Sequence, residues 1–180
     1  LFSTVHGIGA VKAKELYTLG YRTIEDLNKA VSVNKLKLTR NQLIGLKYHK
    51  DLNTKIPRSE IIEFKKLFED IISDIPSLVF EICGSFRRLA QESGDIDIII
   101  TSDISDDRPA LSGIIEKLKE RFTVETLAHS DNTFMSVISW SGIYRRLDIK
   151  SYPRSDYGPA ILYFTGSEKY NRQMRFYAQK

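Results

Sequence analysis

Two carboxylates one residue apart, Asp95 and Asp97 in Gly94-Asp95-Ile96-Asp97-Ile98-Ile99-Ile100, are the residues of this chain best placed to do chemistry. In a β-strand, side chains i and i+2 leave from the same face, so this alternation predicts two acids side by side, whose repulsion cations would relieve. Mg2+ is the natural counter-ion. It is held by a few carboxylates plus substrate phosphates, and two such ions about 3.5–4 Å apart stabilise both the attacking and the leaving oxygen of an in-line displacement. That chemistry calls for a third acid. Asp148 fits, in Tyr144-Arg145-Arg146-Leu147-Asp148-Ile149-Lys150, a second alternating segment suited to a neighbouring strand of the same sheet. Arg146, Asp148 and Lys150 share one phase, which predicts that the flanking cations hold the acid ionised. A solvated strand edge produces the same alternation, so the residues upstream have to decide between the two.

Gly84-Ser85-Phe86-Arg87-Arg88 follows the apolar run Leu78-Val79-Phe80-Glu81-Ile82-Cys83, which predicts a buried strand ending at a turn that opens a short helix. Outward-facing N–H groups there make an anion site, and Arg87 or Arg88 adds a charge-assisted contact to a polyphosphate. The spacing is not G-x-x-x-x-G-K-[ST], which removes the P-loop reading. Gly-Ser alone is an ordinary turn; followed at this separation by Gly-Asp-x-Asp, it reads as a nucleotide-transfer site. His6, His49 and His129 are scattered and Cys83 is the single cysteine, so neither a zinc site nor a Ser-His-Asp hydrolase has support.

The elements that must position these residues follow from periodicity and punctuation. Helices are predicted over Val11–Leu19, Thr23–Ala30, Thr39–Tyr48, Ser59–Ser73 and Pro109–Phe122, and strands over Leu78–Cys83, Ile96–Thr101, Thr123–Leu127, Thr133–Trp140 and Tyr144–Lys150. The fold class is therefore α+β. Lys55-Ile56-Pro57-Arg58 punctuates the chain between a helical first third and the rest, and Ser141-Gly142 predicts a tight hairpin turn. Gly166-Ser167-Glu168 predicts a helix that starts on a serine cap with an acidic first turn.

In the first third, His6-Gly7-Ile8-Gly9-Ala10-Val11-Lys12 reads as a glycine turn feeding a helix whose Val11, Leu16 and Leu19 pack against Ile24 and Leu27. Such a hairpin turns its amides outward and binds a DNA phosphate without reading sequence. Charge agrees: Leu1–Arg58 carries 11 Lys and Arg against 4 acids, a net +7, within a total of +4. Lys12, Lys14, Lys35, Lys37, Arg40, Lys47 and Lys50 form a salt-sensitive phosphate footprint. The chain has no apolar run of membrane length and no visible signal peptide, and a lone cysteine in an apolar strand suits a reducing interior such as the nucleus or cytoplasm.

These residues resemble a known family, the nucleotidyltransferases, and within them the family X DNA polymerases such as polymerases beta and lambda. The resemblance runs in order through Gly7-Ile8-Gly9, Ile56-Pro57-Arg58, Cys83-Gly84-Ser85-Phe86-Arg87-Arg88, Ser93-Gly94-Asp95-Ile96-Asp97, Arg145-Arg146-Leu147-Asp148-Ile149 and Tyr163-Phe164-Thr165-Gly166-Ser167. It implies a helix-hairpin-helix DNA-binding domain over residues 1–57, a catalytic palm with a mixed β-sheet and flanking helices over 58–154, and the start of a nucleotide-selection (thumb or fingers) subdomain over 155–180. By that resemblance Asp95 and Asp97 bridge two Mg2+ ions, with Mn2+ as a substitute, and Asp148 ligates the catalytic one. Gly84, Ser85, Arg88 and Gly94 hold the triphosphate, while Tyr163, Phe164, Gly166 and Asn171 line the sugar and base side. Main-chain carbonyls of Ser3, Val5 and Ile8 hold Na+ or K+, and Gly7, Gly9, Val11, Lys12, Arg146 and Arg175 contact DNA.

The implied activity is template-directed DNA polymerisation: dNTP addition to a primer 3′-OH by two metal ions, filling short gaps during base excision repair or non-homologous end joining. The implied partners are gapped or nicked double-stranded DNA and dNTPs, with repair-complex partners recruited through amino-terminal regions; the protein is expected to be a nuclear monomer with no membrane association. The short Ser141-Gly142 turn and Tyr163-Phe164 resemble the template-dependent members rather than terminal transferases. Relative to a whole polymerase of this family, the chain is expected to be a fragment without the lyase domain and with most of the last subdomain missing. A non-DNA nucleotidyltransferase and a noncatalytic DNA-binding module are the rival readings, and the choice between beta-like and lambda-like stays open.

Overall fold

The computed structural model describes residues 1–102 and 108–179; Lys180, the last residue of the expected nucleotide-selection segment, lies outside them. The chain divides into two compact units, Leu1–Thr54 and Lys55–Lys180. Among the described residues no helix is long and apolar enough to cross a membrane.

In the first unit a 3-10 turn, Phe2–Thr4, precedes α1 (Ala10–Thr18), α2 (Ile24–Ser32), α3 (Arg40–Lys47) and α4 (His49–Asn53). Capping boxes set two of the starts. The Thr23 hydroxyl accepts from the Asp26 N–H while the Asp26 carboxylate takes the Thr23 N–H, and Thr39 and Gln42 repeat the exchange at α3. Phe2, Val5, Ile8, Leu16, Leu27 and Leu46 are buried together at the centre. Val11 and Leu19 are not with them, at 86% and 60% exposed. The expected packing of both on Ile24 and Leu27 is thus corrected. Val11 lies five residues, about 140° of helix, from Leu16, and Leu19 is the C-cap beyond the last turn; half-buried Ala13 supports Leu16 instead.

The glycine turn is also asymmetric. Gly7 has φ +82°, whereas Gly9 is the extended N-cap of α1 with φ −77° and open space where a Cβ would stand. A third glycine does what Gly9 does not: a Cβ on Gly45, inside α3, would lie 2.1 Å from the His6 carbonyl oxygen. There α3 rests directly on the hairpin backbone, and Gln42 Nε2 donates to the Gly7 carbonyl at 3.1 Å.

In the second unit β1 (Ile56–Pro57) leads into α5 (Arg58–Ile72), followed by β2 (Val79–Ile82), α6 (Gly84–Arg87), β3 (Glu92–Ser93) and β4 (Ile96–Thr101). Then come α7 (Arg108–Arg121), β5 (Thr123–Ser130), β6 (Thr133–Ser139), β7 (Tyr144–Ser151), α8 (Arg154–Thr165) and α9 (Glu168–Ala178). β1 pairs with β3, so Ile56 and Pro57 fall in this unit rather than the first. The five-stranded sheet has the order β2-β4-β7-β6-β5, parallel only between β4 and β7, and is thus mixed. β5 runs three residues past its expected end through an irregularity between Thr126 and Ala128. The β6–β7 connection is four residues, 140–143, with Gly142 at φ +83°.

Alternation splits the sheet into two chemistries. Ile96, Ile98 and Ile100 of β4 and Leu147 and Ile149 of β7 bury themselves against Phe64 and Phe68 of α5 and Ile114 and Leu118 of α7. Each such fully buried side chain contributes about 1.5–3 kcal/mol. Arg145 shares this inward phase at 3% exposed, and a bidentate pair with Glu60 of α5, at 2.9 Å for both bonds, compensates its burial. Asp97 and Ile99 face the other way, where Ile99 is buried with Cys83 and Ala160 of α8.

The close approach at Gly45 makes a sharp stability test. Gly45→Ala should destabilise the first unit by about 1–3 kcal/mol, the range for overpacking, while Gly9→Ala leaves its stability within about 0.5 kcal/mol of the parent. Equal effects of the two substitutions on the denaturation midpoint would contradict this packing.

Candidate active site

Parallel pairing of β4 with β7 in the register Asp97↔Asp148 brings residues 51 apart in sequence onto one edge of one sheet face. Asp95, just before β4, joins them, and one carboxylate oxygen from each of the three lies within 4.8 Å of the others. Arg146, two residues before Asp148, turns its guanidinium into this cluster. Its Nη2 is 2.5 Å from Asp148 Oδ2 and its Nη1 is 3.2 Å from Asp95 Oδ2. One cation therefore bridges two of the three acids.

It does not neutralise the site. Burial drives the Asp97 carboxyl up to about 7, Asp95 and Asp148 add their repulsion, and Arg146 and Lys150 only partly offset them. Asp148 also rises, again through burial first, despite its bond to Arg146. Desolvation inside the sheet outweighs the flanking cations in setting the direction of this shift. For Arg146, burial pulls downward, but Asp148 and Asp95 outweigh it and raise the guanidinium further. Asp148 Oδ1 is buried with no hydrogen-bond partner. Three hard oxygen donors, an excess of buried negative charge and an unpaired carboxylate oxygen together suit a hard divalent cation such as Mg2+.

Beside the acids, α6 opens at Gly84 with φ +57°, and a Cβ there would stand 2.6 Å from Asp97 Oδ2. Only glycine allows both that conformation and that approach. The Ser85 hydroxyl donates to Ser93 Oγ at 2.8 Å, and Ser93 is buried in β3. The two arginines, which sequence leaves as alternatives, separate. Arg88 lines the cleft, while Arg87 reaches Glu81 at 3.2 Å and Thr165 Oγ1 at 3.0 Å. Arg58 fixes the far end of the turn: its Nη1 donates to the Phe86 carbonyl at 2.7 Å and its guanidinium lies over the Phe86 ring at 4.1 Å.

A cleft of about 360 Å³ runs from these residues to the α8–α9 junction. It is lined by Gly84, Ser85, Arg88, Asp95 and Asp97 together with Tyr163, Phe164, Gly166, Ser167, Glu168, Asn171 and Arg175. Asn171 is 8% exposed; its Nδ2 donates to the Tyr163 carbonyl at 2.7 Å and its Oδ1 is unpaired. The Arg175 Nε donates to the Asn171 carbonyl at 3.3 Å. Ser167 caps α9 by accepting from the Tyr170 N–H, and Glu168 is the acid of the first turn, as the sequence predicts. Gly94 stands outside the cleft lining, next to Lys55, whose Nζ a Cβ on Gly94 would approach to 3.6 Å.

Sequence reasoning misses Lys55, Arg58 and Ser93 as contributors to this region. Arg58 and Ser93 sit inside recognised blocks, but nothing in their spacing announces that they bond to α6 and its hydroxyl. In the other unit, the α1 N-terminus has no side-chain cap, Lys12 pairs with Glu15 at 2.7 Å, and the Val5 carbonyl accepts from the Ile8 N–H at 3.0 Å.

Residues 55–154 match a family model described as DNA polymerase beta palm, and residues 1–53 one described as the fingers domain of DNA polymerase lambda. The chain is similar to DNA polymerase lambda of Arabidopsis thaliana, 34% identical over 99% of this chain and 36% of that protein. It is also similar to DNA polymerase lambda of Rattus norvegicus, at 33% identity over 99% of this chain and 32% of that protein. A DNA nucleotidylexotransferase of Xenopus laevis matches at 25% identity over 98% of this chain and 42% of that protein. The chain thus spans about a third of the length of the two polymerases.

The acid cluster predicts its own pH signature. A carboxyl with a folded-state pKa near 7 and an unfolded value near 4 favours folding while protonated, so its contribution is lost as pH rises through 7. In metal-free buffer, Asp97→Asn should raise the melting temperature at pH 8, and the gain should shrink toward pH 5. A thermal scan series in which the substitution lowers the midpoint at pH 8 would contradict this electrostatic balance.

Proposed function

We propose, from the premise that this chain belongs to the family X DNA polymerases, the group of polymerases beta and lambda, that its site adds a deoxynucleotide to a primer 3′-OH under template direction, with pyrophosphate leaving. One observation carries the reading: Asp95 and Asp97 line a cleft together with the Gly84–Ser85 turn and a polar and aromatic wall, and the β4–β7 register sets Asp148 beside them. The acids alone would suit many metal-dependent reactions. Joined to the turn, they suit one that uses a polyphosphate.

Asp95, Asp97 and Asp148 would hold two Mg2+ ions. Bound there, the ions supply Lewis-acid stabilisation of the attacking and leaving oxygens. The protein's own groups do the rest. The Gly84–Ser85 turn and the Arg88 guanidinium receive the triphosphate, with Gly94 and the Lys55 ammonium beside it. Tyr163, Phe164 and Gly166 bound the sugar, Asn171 presents amide groups to the base, and Arg175 reaches toward the template strand. Asp148, pushed upward by burial, is placed to accept the proton from the primer hydroxyl.

The first unit serves as the DNA-backbone reader in this proposal. Its uncapped α1 N-terminus, the Gly7 and Gly9 turn, Val11 and Lys12 face a phosphate, and Ser3, Val5 and Ile8 offer carbonyls to Na+ or K+. Gapped or nicked DNA and dNTPs are the substrates, gap filling in nuclear DNA repair is the setting, and the working unit is a monomer.

Extension of a one-nucleotide-gapped duplex tests the reading, using the chain and a form extended to the length of the polymerase relatives. Templated, Mg2+-dependent insertion is expected, and Asp97→Ala should abolish it, a loss of at least about 10³-fold, with gapped-DNA affinity within about twofold. Insertion regardless of template would move the assignment to a terminal transferase. Substantial turnover by Asp97→Ala would remove the two-metal reading.

A further inference from the structure

We propose that Thr165, the last residue of α8, is a positioning residue that holds both arginines of the α6 turn, Arg87 as a tie between elements and Arg88 toward the polyphosphate; the inference rests on the nucleotide-binding reading above. The carbonyl oxygen of Thr165 accepts from Arg88 Nη1 at 2.6 Å, and its hydroxyl oxygen accepts from Arg87 Nη1 at 3.0 Å. One residue therefore holds two adjacent cations on a different element.

The hydroxyl has a fixed role. It donates its proton to the Ile161 carbonyl at 2.6 Å, one turn back in α8, which leaves its lone pairs to the guanidinium. The carbonyl belongs to the terminal helical turn, where carbonyls lack intrahelical partners and carry the negative end of the helix dipole. A guanidinium is the matching donor. Gly166 then turns away at φ +68°, and a Cβ there would stand 3.3 Å from Arg88 Nη1, so the chain leaves room for the contact.

Each arginine is thereby directed differently. Arg87 is held between Glu81 of β2 and Thr165, which ties α6 to the sheet and to α8 and keeps it out of the cleft. Arg88 keeps its remaining N–H groups at the cleft wall. Two residues before Thr165 stands Tyr163, whose carbonyl accepts from Asn171. The end of α8 therefore fixes the phosphate-facing arginine and the base-facing amide together, and loss of the Thr165 hydroxyl should loosen α6 without touching the acids.

The test compares Thr165→Val, which removes the hydroxyl at nearly constant shape, with Thr165→Ser, which retains it. Titration calorimetry with Mg2+ and dATP reads nucleotide affinity, gap extension reads KM and kcat, and a thermal scan verifies folding. Thr165→Val should weaken dATP binding and raise KM by about three- to tenfold, with kcat within about twofold, and Thr165→Ser should return both to within about twofold of the parent. In an Arg87→Ala background, Thr165→Val should add less than about twofold, because the partner of the hydroxyl is already gone. Parent-like affinity in Thr165→Val, failure of serine to rescue, or a full additional loss in the Arg87→Ala background would overturn the proposal. If the parent itself binds no dATP with Mg2+, the nucleotide reading of the cleft falls first, and this inference with it.

Discussion

The parallel pairing of β4 with β7 is the constraint on which the site depends, because its register alone sets Asp97 beside Asp148. A one-residue slip would turn the acids into the apolar layer and the isoleucines outward. The core prevents that slip. Ile96, Ile98, Ile100, Leu147 and Ile149 are at most 1% exposed beneath α5 and α7, so moving either strand by one residue would strip several fully buried side chains at once. Hydrophobic burial on one face thus supplies the free energy that holds like charges together on the other.

The strain of that arrangement appears in the elements around it. Arg146 bridges two acids and still leaves Asp97 shifted to about 7, so the cluster holds more carboxylates than its own cations can keep ionised. A fold selected only for stability would place a further cation or an apolar side chain there. Instead, Gly84 opens the space beside Asp97 Oδ2, and Arg58 and Ser93 bond to the turn and its serine rather than to the acids. Positive charge goes to positioning the Gly84–Ser85 turn, and the acid side is left wanting cations.

Much of this is legible in the chain because periodicity and punctuation record which face a residue occupies. The three acids, Gly84-Ser85, the serine cap of α9 and the span of β4 are all local patterns with a physical reading. What escapes the sequence is long-range or set by competition between opposing effects. Arg145 reads as one more cation on an alternating strand until α5 brings Glu60 beneath it. Gly45 reads as an ordinary weak helix position until the His6 carbonyl is found against it. Val11 suits an apolar stripe by type, yet its angle around α1 points it to solvent. Spacing shows the cations that flank Asp148 but not the burial that pushes its carboxyl up against them.

In the proposed reaction the cleft would join two kinds of recognition: the acids and Arg88 would respond to charge, which every nucleotide triphosphate carries alike, and Tyr163 and Asn171 to shape and hydrogen bonding, which differ among nucleotides. Selectivity in a transfer reaction requires that the second influence the first, since only interactions felt at the reacting atoms discriminate in rate. The C-terminal turn of α8 is where the two share covalent structure. Tyr163, Phe164 and Thr165 are consecutive, the Tyr163 carbonyl holds Asn171, and Thr165 holds both arginines. If a base sits against Asn171, as proposed, a displacement of that side chain would have a path of three residues to Arg88, whereas the acids are locked by a sheet register that such a displacement leaves in place.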